Sequence, residues 1–414
     1  MTTAIIGGGV VGLNLAWSLR QRGEDVTVVE GGRIGNSASG VNAGWVTPSL
    51  STPLAAPGIV KTGIKHMFDK DGALVIKPRP DTAWIKWLWN FSRSARPAAY
   101  ERGVKALLHL NEHTLDLFDQ LREDGVEFEM RNAGILALAL EEGGLGWFRQ
   151  LFDQLTPLGF KGGIEYLTPD EARALDPAVG PDIKEAAHTL IDRFVDPDGL
   201  LAGLLQRLTG MGVEVHQNRP VHSLSRSGSS WTIHTDQGPI QADRVVVALG
   251  AAANRLLKSV NVKLPIIGAK GYSVELEGSG VPPRHALYLM EAKLGLSPLG
   301  RGVRIGGFFE LPGTGSDVSP RRVEQLVQQT RPYLGGWTPE SVNITAGRAG
   351  LRPSTPDSLP FIGPVPDVEG LYVAAGHGML GVTLAPATAA ALTSIIIDRV
   401  VPEHVLPFQL AGRI

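Results

Sequence analysis

Thr3-Ala4-Ile5-Ile6-Gly7-Gly8-Gly9-Val10-Val11-Gly12 stands at the start of the chain, and Asp25-Val26-Thr27-Val28-Val29-Glu30 follows one helix later. The first four residues read as a short buried strand that runs into a glycine turn. Leu13 to Arg22 reads as a helix with Leu15, Trp17 and Leu19 among its apolar positions; Gly23 ends it, and 25–30 form a second strand. The spacing Gly7-x-Gly9-x-x-Gly12, with Glu30 eighteen residues beyond Gly12, is the dinucleotide-binding fingerprint in the strand–turn–helix context it requires. Gly7 makes the turn, Gly9 admits a pyrophosphate against the backbone, and Gly12 lets helix and strand pack closely. The helix N-terminus at Val10 and Val11 faces phosphate charge, and Glu30 can accept from ribose hydroxyls.

Outward from this unit the pattern returns in pieces. Asp198 to Leu208 looks helical, Val213-Glu214-Val215 is a strand, and Trp231 to Asp236 alternates like an exposed strand. Ala242 to Gly250 is a buried, parallel-type strand ending in glycine. Leu371 to Ala375 is another buried strand, followed by a glycine-rich turn and a helix from about Thr383 to Arg399. Residues 55–195 are mixed, with helices such as Arg102–Arg122, and 264–346 read as antiparallel strands joined by hairpins. The expected fold is α/β: a Rossmann-type domain from 1–54, 196–262 and 347–414, with an inserted mixed α+β, antiparallel-sheet substrate domain from 55–195 and 263–346. No repeat of 20–50 residues stands out.

Composition narrows the function. The 414 residues are enough for two or three folding units. With 39 Lys plus Arg against 41 Asp plus Glu, the net charge of −2 lacks the basic excess of a general nucleic-acid binder. Cysteine is absent, which excludes a disulfide scaffold, a thiolate metal site and a thioether-linked cofactor. The 51 glycines and 29 prolines make about a fifth of the chain and punctuate apolar runs, so many tight turns bring backbone close to something. No apolar run is long enough for a spanning helix. The N-terminus lacks the basic region of a signal peptide, so a cytoplasmic location is expected.

Four further segments complete a pattern: Ser37-Ala38-Ser39-Gly40-Val41-Asn42-Ala43-Gly44 with Pro53 to Gly58; Lys270-Gly271-Tyr272-Ser273; Gly350 to Asp357; and Gly376-His377-Gly378-Met379-Leu380-Gly381. With the fingerprint, they give the chain a resemblance to FAD-dependent amine oxidoreductases of the D-amino-acid oxidase and glycine oxidase superfamily, and within it to bacterial D-amino-acid dehydrogenases. The resemblance implies non-covalent FAD, held at the fingerprint residues and at Ser37, Ser39, Asn42, Ala43, Gly44 and Gly250. Val221 would offer backbone groups to adenine. Gly378, Met379, Leu380, Gly381, Val382 and Thr383 would bring a helix N-terminus to the flavin. Arg352, in an apolar, turn-rich setting before Pro353, is the expected carboxylate clamp, because a guanidinium grips a carboxylate through two parallel hydrogen bonds. Tyr272 would donate to the same carboxylate, and Trp45 and His377 would line the substrate pocket. For Arg352 a structural salt bridge and for Tyr272 a core position remain the alternatives, with Arg348 a rival clamp.

Two stretches read as decoys. His109-Leu110-Asn111-Glu112-His113 spells an inverted zinc-protease motif, but its histidines fall on the polar side of a helix, and no metal is expected. Trp84, Trp87, Trp89 and Phe91 read as a packed helix, with peripheral membrane contact as the alternative. Two departures bear on the substrate: Trp45 follows Asn-Ala-Gly and narrows the pocket, and Met379-Leu380 stand where glycine oxidases tend to carry a second arginine.

The expected activity is oxidation of the Cα–N bond of a small amino acid, most of all a D-amino acid, to an imino acid that water converts to a 2-oxo acid and ammonia. The alternatives are oxidation of secondary amines or N-substituted glycines, and a non-catalytic FAD-binding subunit. The electron acceptor is a quinone or oxygen, and no nucleic acid is expected as a partner.

Overall fold

Ala4, Ile5 and Ile6 are all buried, as a central parallel strand covered on both faces requires. The computed structural model describes residues 1–59, 72–278, 282–300, 302–335 and 342–414. In it the strand Thr2–Ile6 lies inside a six-stranded sheet ordered Glu214–His216, Asp25–Val29, Thr2–Ile6, Arg244–Val247, Leu371–Ala375 and Phe361–Pro364. The first five run parallel, and Phe361–Pro364 closes the edge antiparallel. The helix Val10–Gln21 starts directly after Gly9, three residues earlier than Leu13, because Gly12 packs inside its first turn. It lies against Gly381–Ile397, where Leu13, Ala16, Leu384 and Leu392 share one core. On the other face a small sheet of Val221–Ser227, Ser230–Thr235 and Ile240–Ala242 buries Trp231 and Ile233 against Ala4 and Ile6. The strand expected to be exposed therefore has Trp231 and Ile233 buried on one side.

The second sheet has nine strands among the described residues. Val342–Ser354, Ile267–Gly278, Gly302–Leu311, Leu294–Leu299 and Ala286–Leu289 form its antiparallel half, Ile135–Ala139, Glu185–Thr189 and Ile164–Leu167 continue it, and Leu74–Ile76 pairs parallel with Gly302–Leu311. The links through 279–281 and 301 lie outside the described residues. Helix Pro320–Thr330, absent from the sequence reading of 264–346, covers one face: Val323, Leu326 and Val327 pack on Tyr272, Val274 and Phe308. The opposite face meets the segment 38–45. A Cβ at Gly350 would lie 3.2 Å from Ala38 Cα, and one at Gly306 would lie 3.4 Å from Ala43 Cβ. Glycines pave this face because backbone lies directly on it.

The expected boundary at 346/347 falls inside the continuous strand Val342–Ser354. The single helix expected over Arg102–Arg122 is two, Pro97–Asn111 and Thr114–Glu123. Their Leu107, Leu110, Phe118 and Leu121 join the core of the dinucleotide sheet, so part of 55–195 leans on that domain. The first helix ends at Asn111, so Glu112-His113 of the H-x-x-E-H stretch stand in the break between the two helices, and its histidines are exposed; among the described residues no cluster of metal-ligating side chains occurs. In the helix Thr82–Ser94, Trp84 stacks on Trp87 at 5.6 Å and Trp87 on Phe91 at 5.2 Å. All three are buried against Phe309 and Leu311, while Ile85 and Trp89 face outward. No described helix is long and apolar enough to cross a membrane.

Candidate active site

Gly7 adopts φ 117°, and a Cβ there would press on the Ala248 carbonyl at 2.5 Å; at Gly12 a Cβ would overlap the Gly7 carbonyl itself. This cradle admits only glycine. Glu30 braces it: Oε2 accepts from Gly8 N at 2.7 Å and Oε1 from Gly32 N at 2.9 Å. A carboxylate that accepts one bond on each oxygen retains lone pairs for ribose hydroxyls. Ser37 caps the short helix Ala38–Val41, and Ser39 Oγ accepts from Val10 N at 3.1 Å, joining the two expected phosphate segments. Asn218 N and Arg219 N donate to Gly32 O (2.8 Å) and Glu30 O (2.9 Å), which brings the corner before Val221 to the end of the second strand. Gly250, at φ 53°, follows the Arg244–Val247 strand and lies against Pro353.

The second half of the site is tied to this cradle. Gly44, at φ 83°, donates its N–H to Asn42 Oδ1 at 2.6 Å and leaves no room for a Cβ beside the Val195 carbonyl. Trp45 Nε1 donates to Ser297 Oγ at 3.0 Å, and its ring meets Tyr288 edge-on at 5.6 Å. Thr383 Oγ1 donates to Trp45 O at 3.2 Å and accepts from Thr47 N at 3.1 Å. Gly378 N donates to Pro353 O at 2.8 Å. The turn with Met379 and Leu380, the helix start at Gly381 and Val382, the segment at 45 and the residue after Arg352 are therefore one assembly. His377 differs from expectation. It is buried, its Nε2 pairs with Thr388 Oγ1 at 3.0 Å, and burial pulls its pKa down to about 4. A neutral histidine bonded into the helix behind it is placed to hold the turn, and the substrate role expected of it has no geometric support.

Arg352 stands opposite Ala269 in the sheet, on the glycine-paved face. The residue is half-buried, and its guanidinium lies deep among protein atoms. Nη1 donates to Phe308 O at 2.8 Å, and the Phe309 ring flanks it at 5.7 Å. Among the described residues no carboxylate comes within ion-pair distance of it. Burial draws its pKa down to about 10, which still leaves a full cation at neutral pH. A buried cation without an acid is costly unless an anion completes it, and no described residue supplies the acid that the salt-bridge alternative needs.

The rival Arg348 is committed elsewhere. It reaches Asp198 Oδ2 at 2.8 Å, Glu275 Oε1 at 3.1 Å and Gly40 O at 2.9 Å. Arg304 shares both acids, at 2.6 Å and 2.5 Å. Tyr272 is the second departure. Adjacent residues of a strand point to opposite faces, and with Gly271 under Arg352 the Tyr272 ring lies among Val274, Leu326 and Phe308 beneath the covering helix. Burial, then Glu310, raises its pKa. The structure does not bring it to Arg352. The tyrosine on the open face is Tyr288, whose pKa burial pushes up to about 12; nothing in Ala-Leu-Tyr-Leu signals this before Gly295 is known to pair with it.

Glycine cradle, first-turn amides without intrahelical acceptors and a paved sheet face together fit a dinucleotide joined to a flat ring. A family model described as FAD dependent oxidoreductase matches residues 2–395. The chain is 32% identical over 409 residues to a D-amino acid dehydrogenase of Cereibacter sphaeroides, covering 96% of this chain and 92% of that relative. Among solved structures, glycine oxidase of Geobacillus kaustophilus matches with a TM-score of 0.78 at 24% identity, covering 100% of this chain and 98% of the other. Iminodiacetate oxidase of Chelativorans sp. BNC1 matches with a TM-score of 0.75 at 21% identity, covering 98% of each. The match runs through the cradle, the paved face and Arg352 alike, and the chain belongs to the FAD dependent oxidoreductases of the DAO family.

Proposed function

We propose that the protein oxidises the Cα–N bond of a small D-amino acid whose carboxylate is gripped by Arg352. The observation that carries this reading is a deep guanidinium that donates to Phe308 O and has no acid partner among the described residues, on a sheet face kept open by glycine. Gly7, Gly9, Gly12, Glu30 and Ser39 would hold the FAD phosphates and ribose, and 42–45 with 378–383 would hold its ring. When bound, FAD supplies the two-electron acceptor for the hydride that leaves Cα.

The chain's own residues bind and orient. A bidentate pair at Arg352 fixes rotation about the Cα–carboxylate axis, and that rotation decides which hydrogen faces the acceptor. Trp45, pinned between Ser297 and Gly295, and Tyr288 wall the face beside it. Among the described residues no His–carboxylate pair stands at this face; on this reading the amine enters neutral and its lone pair forms the C=N bond as the hydride departs. Its remaining proton goes to solvent, and water hydrolyses the imino acid to 2-oxo acid and ammonia.

The rigid indole of Trp45 also favours a second reading, an N-substituted glycine, which has no Cα side chain to accommodate. An anaerobic screen of flavin bleaching over D- and L-amino acids and N-methyl glycines tests both. Reduction by D-amino acids supports the first, reduction by N-substituted glycines alone supports the second, and yellow protein bleached by neither is a non-catalytic subunit. Reoxidation of the bleached protein by oxygen or by a quinone names the acceptor. Ile85 and Trp89, exposed one turn apart, are the surface through which peripheral membrane contact would be made.

A further inference from the structure

The Gly302–Leu311 strand carries one residue more than its neighbour: Tyr272 pairs with Gly307, but Lys270 pairs with Glu310. The surplus falls at Phe308-Phe309, and Phe308 has φ 60°. That left-handed state is unfavourable for a bulky L-residue and persists only where the surroundings enforce it. Bulges redirect groups beside active sites. Here the carbonyl of Phe308 leaves the ladder and accepts Nη1 of Arg352 at 2.8 Å.

The ring of the same residue is held from behind. It is 3% exposed, the Arg322 guanidinium lies 4.3 Å from its centroid, and Tyr272 meets it edge-on at 6.4 Å. Arg322 is itself oriented, with Nε on Glu310 Oε1 at 2.8 Å and Nη1 on Gln325 Oε1 at 2.8 Å; Glu310 Oε2 takes Lys77 Nζ at 3.2 Å.

We infer that Phe308 and Arg322 are positioning residues for the carboxylate clamp. Arg322 and Tyr272 grip the Phe308 ring, the gripped ring keeps the bulge in its left-handed state, and the bulged carbonyl fixes one N–H of Arg352. The remaining N–H groups of the guanidinium are left in a set direction for a substrate carboxylate. This also gives Tyr272 a task on the face away from the substrate. The inference rests on Arg352 being the clamp.

Two substitutions test it in FAD-loaded protein. Arg322→Lys keeps the charge and the pair with Glu310 but loses the planar stack; Phe308→Leu keeps bulk without a π face. The first readout is the Kd for propionate, a carboxylate with no amine to oxidise, by titration calorimetry. The second is kcat/KM for the best D-amino acid of the screen and for its decarboxylated amine. Both variants are expected to weaken propionate about tenfold and to lower kcat/KM for the amino acid at least as much, with kcat/KM for the amine moved less than about twofold. Propionate affinity unchanged in a folded, FAD-loaded variant overturns the inference, and Phe308→Leu decides if Arg322→Lys does not fold. Arg352→Lys is measured alongside. If it leaves propionate unchanged, or wild-type protein does not bind propionate, the clamp itself is wrong. If it alone weakens propionate, only the positioning role fails.

Discussion

The guanidinium of Arg352 occupies the space above Gly271, and a Cβ at 271 would fall inside it. Gly271 is therefore a glycine for room and not for backbone conformation. The obstructing atoms are the far end of a flexible side chain, so Gly271→Ala displaces the clamp without breaking the fold. Activity on amino acids should fall by about 1.5–3 kcal/mol in kcat/KM, the worth of a charged hydrogen bond. FAD content and melting temperature should stay near wild type. Steady-state kinetics beside the flavin-to-protein absorbance ratio reads both.

Glu30 braces the glycine loop through Gly8 N and Gly32 N. Glu30→Ala should weaken FAD by about 1.5–3 kcal/mol for each charged hydrogen bond lost to the cofactor, measured by titrating apoprotein with FAD. The chain has no cysteine, so acid precipitation of wild-type protein should release all the yellow colour to the supernatant.

Arg304 is nearly sealed between Asp198 and Glu275, and it also donates to Gly40 O (3.4 Å) and Asn42 O (3.3 Å). Arg304→Met removes the buried cation while Arg348 still pairs both half-exposed acids, so it should cost less than the roughly 3–5 kcal/mol of a fully buried pair. It should lower the melting temperature and loosen FAD together, because the segment it anchors is the one expected to hold the ring. Arg348→Met, on the more exposed arginine of the same cluster, should cost less; thermal melts with and without added FAD compare them.

Two buried groups give stability opposite dependences on pH. Burial pushes Asp192 from 3.8 up to about 6, although Ser49 donates to it. Its contribution is fully present below 3.8 and is lost as pH rises through about 6. Asp192→Asn should therefore stabilise at pH 7.5, by about 3 kcal/mol at most, and the gain should vanish at pH 4. Burial pulls His377 from 6.5 down to about 4, so its contribution is present above 6.5 and is lost as pH falls through about 4. His377→Gln should flatten the acid side of the profile between those values. Thermal melts across pH 4 to 8 check both signs.

The glycine fingerprint was legible because a tight turn, a close approach and a helix start each demand a residue type at a fixed spacing. The depth of Arg352 was legible from its apolar setting, and Pro353 holds it extended. Tyr272 was misread because motif proximity says nothing about which face of a strand a side chain takes, and one residue of register reverses it. Trp45 stands on the open face, but its partners Ser297 and Tyr288 come from strands more than 240 residues away. Phe308 and Arg322 gave no signal, since a bulge and a stacked cation exist only once strands and covering helix are assembled. The break at Glu112-His113 was hidden by an apolar stripe that continues across it.

The most direct test of the account is the rate of flavin reduction by Arg352→Lys, measured anaerobically with the best amino acid and with the matching decarboxylated amine. Lysine keeps the charge but loses the fork. The expected result is a loss of about 1.5–3 kcal/mol, roughly ten- to a hundred-and-fifty-fold, for the amino acid, and little change for the amine. Equal losses for the two substrates would contradict it, because Arg352 would then be holding the protein and not the carboxylate.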